Sequence, residues 1–262
     1  MNHPLDADPA QERDDLHRAR LVYQDLALGH FLLAFQPVVD ARDPARVLYH
    51  ESLLRHDGPE LGFNPIMALE RKHAMGLLDR SVIACVISAL EEHPELRLGC
   101  NLSAQSAYDS TAWHPLWARL RQRPEVAARL VLEITESATP ADPQRTLAFI
   151  AQVQALGCQL AIDDFGAGFA SLAFVRQARP DVLKVDRGYL HRAREAGPDA
   201  QVFHHLLRLC QGLAAQVVVE GVEDEQDHER ALASGATWLQ GFHFARPSVL
   251  TPVAQWRVVL ER

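Results

Sequence analysis

Two adjacent carboxylates, Asp163 and Asp164, end an apolar run and open a glycine-rich turn, Ala161-Ile162-Asp163-Asp164-Phe165-Gly166-Ala167-Gly168. Like charges side by side repel unless a cation compensates, and hard divalent ions favour carboxylate oxygens. On its own the pair reads more readily as a solvated turn start, because Asp is common there. The weight comes from other polar residues inside or just after apolar segments: Glu51, Asn101, Glu133, Lys184 and Glu220.

Their direction follows from alternation, since successive side chains of a strand point to opposite faces. Leu130, Leu132 and Ile134 share one face and leave Glu133 on the other. Leu160 and Ile162 oppose Asp163, Leu183 and Val185 oppose Lys184, and Leu98, Cys100 and Leu102 oppose Asn101. Burying several acids without cations is very costly. A metal-centred site is therefore expected where these segments converge.

The elements that must position these residues have short apolar signatures. Strands are expected at 31–39, 47–54, 96–102, 130–135, 159–163, 182–186, 217–220 and 237–241. The connection 40–46 is too short for a parallel crossover, so the first two strands form an antiparallel hairpin. Helical spacing covers 11–28 (Leu16, Ala19, Val22, Tyr23, Leu26) and 81–92, the latter stopped by Pro94. Asp142-Pro143 supplies an N-cap and a first-turn proline, and Gly157 and Gly235 close helices. Thr251-Pro252 is expected to open a last helix carrying Trp256 and Val259, and residues 1–10 are expected to be disordered.

Strands alternating with helices point to an α/β fold, a modified TIM (β/α) barrel with an antiparallel first strand. An open doubly wound sheet is the alternative, but no Gly-x-Gly-x-x-Gly turn follows the first strand. Residues 1–27 read as a tail and lead-in helix, and 28–262 as one barrel domain. Barrel enzymes build their sites at the C-terminal ends of the strands, where the polar residues fall.

Composition narrows the function. The 262 residues are 48% hydrophobic and 23% charged, ample for a large core, and the net charge of −8 provides no basic stripe for a nucleic-acid polymer. The four cysteines show no Cys-x-x-Cys spacing and read as reduced thiols in a cytoplasmic protein. No apolar run reaches the roughly 18–20 residues that span a bilayer, so no membrane association is expected. The thirteen histidines contain no His-Glu-x-x-His pattern, and His204-His205 reads as packing plus surface. Trp113, Trp117 and Trp256 lie in helical contexts and read as core rather than nucleobase platforms. Asp164-Phe165-Gly166 is no kinase signature, because no glycine-rich phosphate loop or His-Arg-Asp loop precedes it.

The motifs occur in one order: Phe35-Gln36-Pro37, Glu51-Ser52-Leu53-Leu54-Arg55, Asn101-Leu102-Ser103, Glu133-Ile134-Thr135-Glu136, Asp163-Asp164-Phe165-Gly166, Lys184-Val185-Asp186, Glu220-Gly221-Val222-Glu223 and Gln240-Gly241-Phe242. Together they resemble the EAL-domain family of cyclic-di-GMP phosphodiesterases over about residues 28–250. The resemblance implies a modified TIM barrel that hydrolyses one phosphodiester bond of cyclic di-GMP to linear pGpG with Mg²⁺ or Mn²⁺, two ions being expected. It implies Glu51, Asn101, Glu133 and Asp163 as ligands of a first ion, with Asp163 and Asp164 at a second. Lys184 would stabilise charge on the phosphorane or orient water, and Glu220 would be the general base. Arg55 would bind phosphate, while Gln36, Leu53, Asp186, Glu223 and Gln240 would line the substrate pocket. Glu136 would anchor the loop after Asp164.

Two departures from the family pattern stand out. The namesake Glu-Ala-Leu is Glu51-Ser52-Leu53, where Ser52 points away from the acids by alternation. The loop usually reading Thr-Gly-Tyr-Ser is Ala167-Gly168-Phe169-Ala170, which lacks three hydroxyls in a segment the family associates with metal retention and dimer contact. A catalytically silent cyclic-di-GMP receptor and a protein-interaction scaffold are the competing readings. A homodimer is expected, and because the sequence shows no recognisable sensory or receiver region, regulation is expected from a protein partner, from oligomerisation or from a larger protein of which this chain is a fragment.

Overall fold

The computed structural model describes residues 9–108, 111–135, 142–168, 171–195, 197–249 and 256–260. A lead-in helix α1 (Pro9–Ala27) precedes the hairpin β1 (Phe31–Asp40) and β2 (Val47–His56). Helices α2 (Pro65–Arg71) and α3 (Met75–Glu92) lead to β3 (Leu98–Leu102), a 3-10 turn (Ala104–Tyr108), α4 (His114–Gln122), α5 (Pro124–Ala127) and β4 (Leu130–Thr135). Then come α6 (Pro143–Ala155), β5 (Gln159–Phe165), α7 (Leu172–Ala178), β6 (Val182–Val185), α8 (Arg187–Arg192) and α9 (Pro198–Gln211). β7 (Gln216–Val219), α10 (Glu225–Ala233), β8 (Trp238–Leu239) and β9 (Arg257–Val258) complete the order.

Local chemistry sets the helix ends. Asp142 accepts from the backbone of Gln144 and Arg145 with Pro143 in the first turn, as its sequence requires. Gly157 and Gly235 adopt φ of 90° and 91° just past α6 and α10, a left-handed conformation that favours glycine. Among the described residues the lead-in helix already includes Pro9 and Ala10, inside the stretch expected to be disordered.

Strands β2 to β8 run parallel in sequential order, and β1 lies antiparallel between β8 and β2, closing an eight-stranded mixed barrel. Its interior has two storeys. Val38, Tyr49, Val131, Ala161, Val182, Val218 and Trp238 form a separate apolar cluster in the lower one. The next inward position on the same strands supplies Gln36, Glu51, Glu133, Asp163, Lys184, Glu220 and Gln240. Leu130, Leu132, Ile134, Leu160, Ile162 and Leu183 instead join the larger cluster under the helices. Alternation sorted these residues correctly.

One expected element is wrong. Residues 250–255 lie outside the described residues, but Arg257 and Val258 are a strand paired with Leu32 and Phe31, not part of a helix with Trp256. β8 covers only Val39 and Asp40 of β1, so the other end of that edge needs backbone partners. Leu33 N–H finds one in Trp256 C=O at 3.0 Å. β6, β7 and β8 end earlier than expected, so that Asp186, Glu220 and Gln240 fall just beyond their ends, whereas β1, β2 and β5 extend past their expected ends.

Trp113 and Trp117 are buried and stacked with centroids 5.1 Å apart, and the half-buried Trp256 meets Phe35 edge-on. His204 and His205 are both exposed on α9, so neither serves as packing. All four cysteines are free thiols, with Cys100, Cys158 and Cys210 buried. Among the described residues no helix is long and apolar enough to cross a membrane.

Candidate metal centre

Four carboxylates, three on β2, β4 and β5 and one just after β7, meet one ammonium at the C-terminal mouth of the barrel. Lys184 Nζ lies 2.8 Å from Glu133 Oε2, 2.9 Å from Asp163 Oδ1, 2.9 Å from Glu220 Oε1 and 3.2 Å from Glu51 Oε2. Asn101 Nδ2 donates to Glu51 Oε1 at 2.8 Å, and Gln240 Nε2 donates to Glu51 Oε2 at 2.6 Å. Parallel pairing sets Asn101 opposite Glu133, and Asp163 lies two residues beyond Ala161, the residue opposite Glu133.

The charges do not balance. An ammonium has three protons and cannot align with four oxygens, and Asp164 adds a fifth acid at the rim. Burial, reinforced by Glu51 and Asp163, pushes Glu133 well above the usual carboxylate range despite the opposing pull of Lys184. Burial also carries Glu220 up to about 8 and, with Asp163 beside it, Asp164 up to about 6. Burial would raise Glu51 too, but Lys184 and the donors Gln240 and Asn101 outweigh it and hold that carboxyl low. Burial works against the Lys184 charge, yet the surrounding acids hold its pKa well above the ordinary value.

This donor set fits a hard divalent cation. Glu133 Oε1 is buried and accepts no hydrogen bond. A Cβ on Gly99 would strike that oxygen and the Tyr49 ring, so glycine keeps the space around it open. Glu51, Glu133 and Asp163 place one oxygen each within 4.8 Å of one another, and so do Asp163, Asp164 and Glu220. Asp163 belongs to both triads. All are oxygen donors, the preference of Mg²⁺ and Mn²⁺.

Simple alternation would turn Asp164 away from Asp163. It does not, because the pairing of β5 with β6 slips between Ile162 and Phe165, and Asp164 takes φ of 55°. Bulges of this kind re-aim a side chain, and Asp is among the few residues that tolerate left-handed backbone.

Above the acids opens a cavity of about 340 Å³, lined by Gln36, Leu53, Arg55, Arg187, Glu223, Gln240 and Phe242 besides the acids Glu51, Asp164 and Glu220. A second cavity of about 350 Å³ adjoins it at Leu53 and Arg55 and is bounded by Asp79, Asn101 and Ser103.

Residues 18–247 match the family model described as EAL domain. The chain belongs to the EAL-domain family. It is 30% identical over 247 residues to the cyclic di-GMP phosphodiesterase PdeF of Escherichia coli strain K12, covering 91% of this chain and 32% of that protein. It is also 30% identical over 253 residues to the bifunctional diguanylate cyclase/cyclic di-GMP phosphodiesterase MucR of Pseudomonas aeruginosa, covering 93% of this chain and 36% of that protein. The chain thus spans about a third of the length of these curated relatives. Among solved structures, the PaMucR phosphodiesterase in complex with c-di-GMP superposes with a TM-score of 0.74 at 29% identity, covering 90% of this chain and 97% of that one. The manganese/cy-diGMP complex of Klebsiella pneumoniae BlrP1 gives 0.68 at 26% identity, covering 84% and 56%.

Within this EAL barrel most of the sequence-predicted residues come together. Gln36 is fixed by donating from Nε2 to Ala245 C=O at 3.0 Å, and Arg55 is exposed at the junction of the two cavities. Glu223 lines the first cavity but is paired with Arg194 at 2.8 Å. Asp186 caps α8, accepting from Gly188 N–H at 3.0 Å, and does not line that cavity. Ser52 faces away from the acids and is buried, as expected. Glu136, Phe169 and Ala170 lie outside the described residues. The sequence assigned no role to Arg187 at the rim or to the buried Asp79 in the second cavity, and it named Phe242 only as part of the Gln240-Gly241-Phe242 motif. Arg187 directly follows the Lys184-Val185-Asp186 motif, which was the available signal.

Proposed function

We propose that this chain hydrolyses one phosphodiester bond of cyclic di-GMP to linear 5′-pGpG with Mg²⁺ or Mn²⁺ bound. The observation that carries the reading is the ring of Glu51, Glu133, Asp163 and Glu220 around Lys184 beneath an open cavity. The names of PdeF and MucR and the cyclic-dinucleotide complexes among the similar structures support the substrate.

Glu51, Asn101, Glu133 and Asp163 would hold one ion, and Asp163 with Asp164 a second, because the two acid triads share Asp163. When bound, the metal acidifies water and neutralises phosphate charge. Glu220, which shares an oxygen triad with Asp163 and Asp164, would accept the proton of the attacking water. The water oxygen bonds to phosphorus, the P–O3′ bond breaks, and the 3′ oxygen leaves as a hydroxyl on taking a proton from solvent, to which Glu220 returns the one it accepted. Lys184 offsets the charge that builds on the phosphoryl oxygens. Arg55 and Arg187 are the cations at the rim available to phosphate. The second cavity, beside Arg55, would take a nucleobase. Action as a homodimer in the cytoplasm, under a protein regulator, completes the reading.

The test is incubation of the purified protein with cyclic di-GMP and either metal, with pGpG followed by chromatography. Turnover is expected, and Glu51→Ala should abolish it while the barrel remains folded. Tight nucleotide binding with no turnover under either metal would replace this reading with the silent receptor.

A further inference from the structure

A second set of metal-type donors lies outside the acid ring. Glu225 and His228 occupy the first turn of α10, and His243 lies in the loop after β8. One ligand atom from each falls within 4.8 Å of the others. His243 Nε2 is 3.3 Å from Glu225 Oε2, and His228 Nδ1 is 3.9 Å from Glu225 Oε1. A tetrahedral ion with bonds of about 2.0–2.1 Å separates its donors by roughly 3.4 Å. The cluster is within small side-chain adjustments of that spacing.

The tautomer of His228 is already set for a ligand. Its Nε2 sits 2.7 Å from Ala41 C=O, which can only accept, so Nε2 carries the hydrogen and Nδ1 turns its lone pair to the cluster. An imidazole donating its second nitrogen to a carbonyl is the usual support of a metal-bound histidine. His243 is held in place by its backbone, which donates to Val222 C=O at 3.0 Å, and by edge contact with Phe244 at 4.9 Å. Gly241 brings this loop close, since a Cβ there would collide with the Val222 backbone. The Glu225 side chain is 68% exposed, leaving the cluster open to solvent on one side.

Asp25, His30 and His56 have the same composition but a different state. Asp25 bonds His56 at 2.7 Å with one oxygen and His30 at 3.3 Å with the other, so that group is closed by its own hydrogen bonds. The His228–Glu225 separation of 3.9 Å is no hydrogen bond.

We propose that Glu225, His228 and His243 form a binding site for a borderline transition-metal ion of the Zn²⁺ class. Two imidazoles and one carboxylate suit Zn²⁺ and disfavour Mg²⁺, which selects oxygen. The ion would staple the start of α10, which follows the cavity-lining Glu223, to the loop carrying Phe242, which also lines that cavity. The site stands independently of the phosphodiesterase reading.

The test is Zn²⁺ titration of the full chain against a chromogenic chelator, with excess Mg²⁺ keeping the acid ring loaded. Wild type is expected to take up one more Zn²⁺ than His243→Ala or Glu225→Gln, or to bind it at least about 100-fold more tightly. Zn²⁺ should also raise the thermal midpoint of wild type and not of these variants. His228→Ala removes the contact to Ala41 as well, so His243→Ala and Glu225→Gln are the decisive variants. Equal uptake and equal midpoint shifts in wild type and both variants, or no uptake by wild type, would overturn the assignment.

Discussion

Lys184 Nζ lies 2.8 Å from Glu133 Oε2, and both side chains are wholly closed to solvent. Removing one partner of such a pair costs about 3–5 kcal/mol, because the remaining charge stays buried. Lys184→Met should therefore lose stability of that order in chelator-treated protein and recover part of it with Mg²⁺. Urea unfolding with and without metal measures both. A loss under about 1 kcal/mol without metal would mean that the acids neutralise themselves by taking up protons.

Gly99 gives a steric test of the same centre. In Gly99→Ala the new Cβ must displace Glu133 Oε1 or the Tyr49 ring. The expected cost is about 1–3 kcal/mol of stability, with at least ~10-fold weaker Mn²⁺ binding by calorimetry. Wild-type Mn²⁺ affinity in that variant would remove Glu133 from the ligand set.

Strain and chemistry can be separated at Asp164, whose φ is 55°. Asp164→Gly, Asp164→Asn and Asp164→Ala all lose the carboxylate and should all lose turnover. Only alanine resists left-handed backbone, so it should be about 1 kcal/mol less stable than the glycine variant. Thermal melts of the three, compared with their rates, make the distinction. Equal stability of the alanine and glycine variants would contradict the bulge.

Asp79 predicts a pH effect on folding. Burial raises its carboxyl to about 7, although Ser106 Oγ–H at 2.5 Å and Ser103 N–H at 3.0 Å partly oppose the shift. Folded protein thus keeps a proton that the unfolded chain releases from about pH 4 upward. Stability falls as pH rises from about 4 to about 7 and is flat above, because the folded state binds more protons in that window. Asp79→Asn stays neutral throughout. Its stability relative to wild type should rise across the window by on the order of 3–4 kcal/mol. Parallel curves in denaturant titrations at several pH values would refute this.

What could be read in advance follows from the range of the forces involved. Glu133, Asp163 and Lys184 were legible because strand alternation is local, and the flanking Leu and Ile residues mark the opposite face. Asp164 was legible as chemistry but not as geometry, since a slip in pairing with β6 turns it inward. The late strand at Arg257–Val258 was misread because Trp256 and Val259 have helical spacing, whereas their partner is the distant β1. Arg187 carried no sequence signal of its own, and Phe242 was legible only as a motif member, because segments beyond strand ends bring them to the cavity.

The two-storey interior separates durability from chemistry. Val131, Val182 and Val218 below and the helix-facing leucines outside hold the barrel closed without any acid above them. The acid ring adds cost, since replacing buried charged groups together with apolar ones is often neutral or stabilising by about 1–4 kcal/mol. A lineage that stopped using this mouth could discard its acids and gain thermal robustness with the same outer shape. On the proposed reading the acids serve the mouth and not the fold, and the scaffold would persist without them.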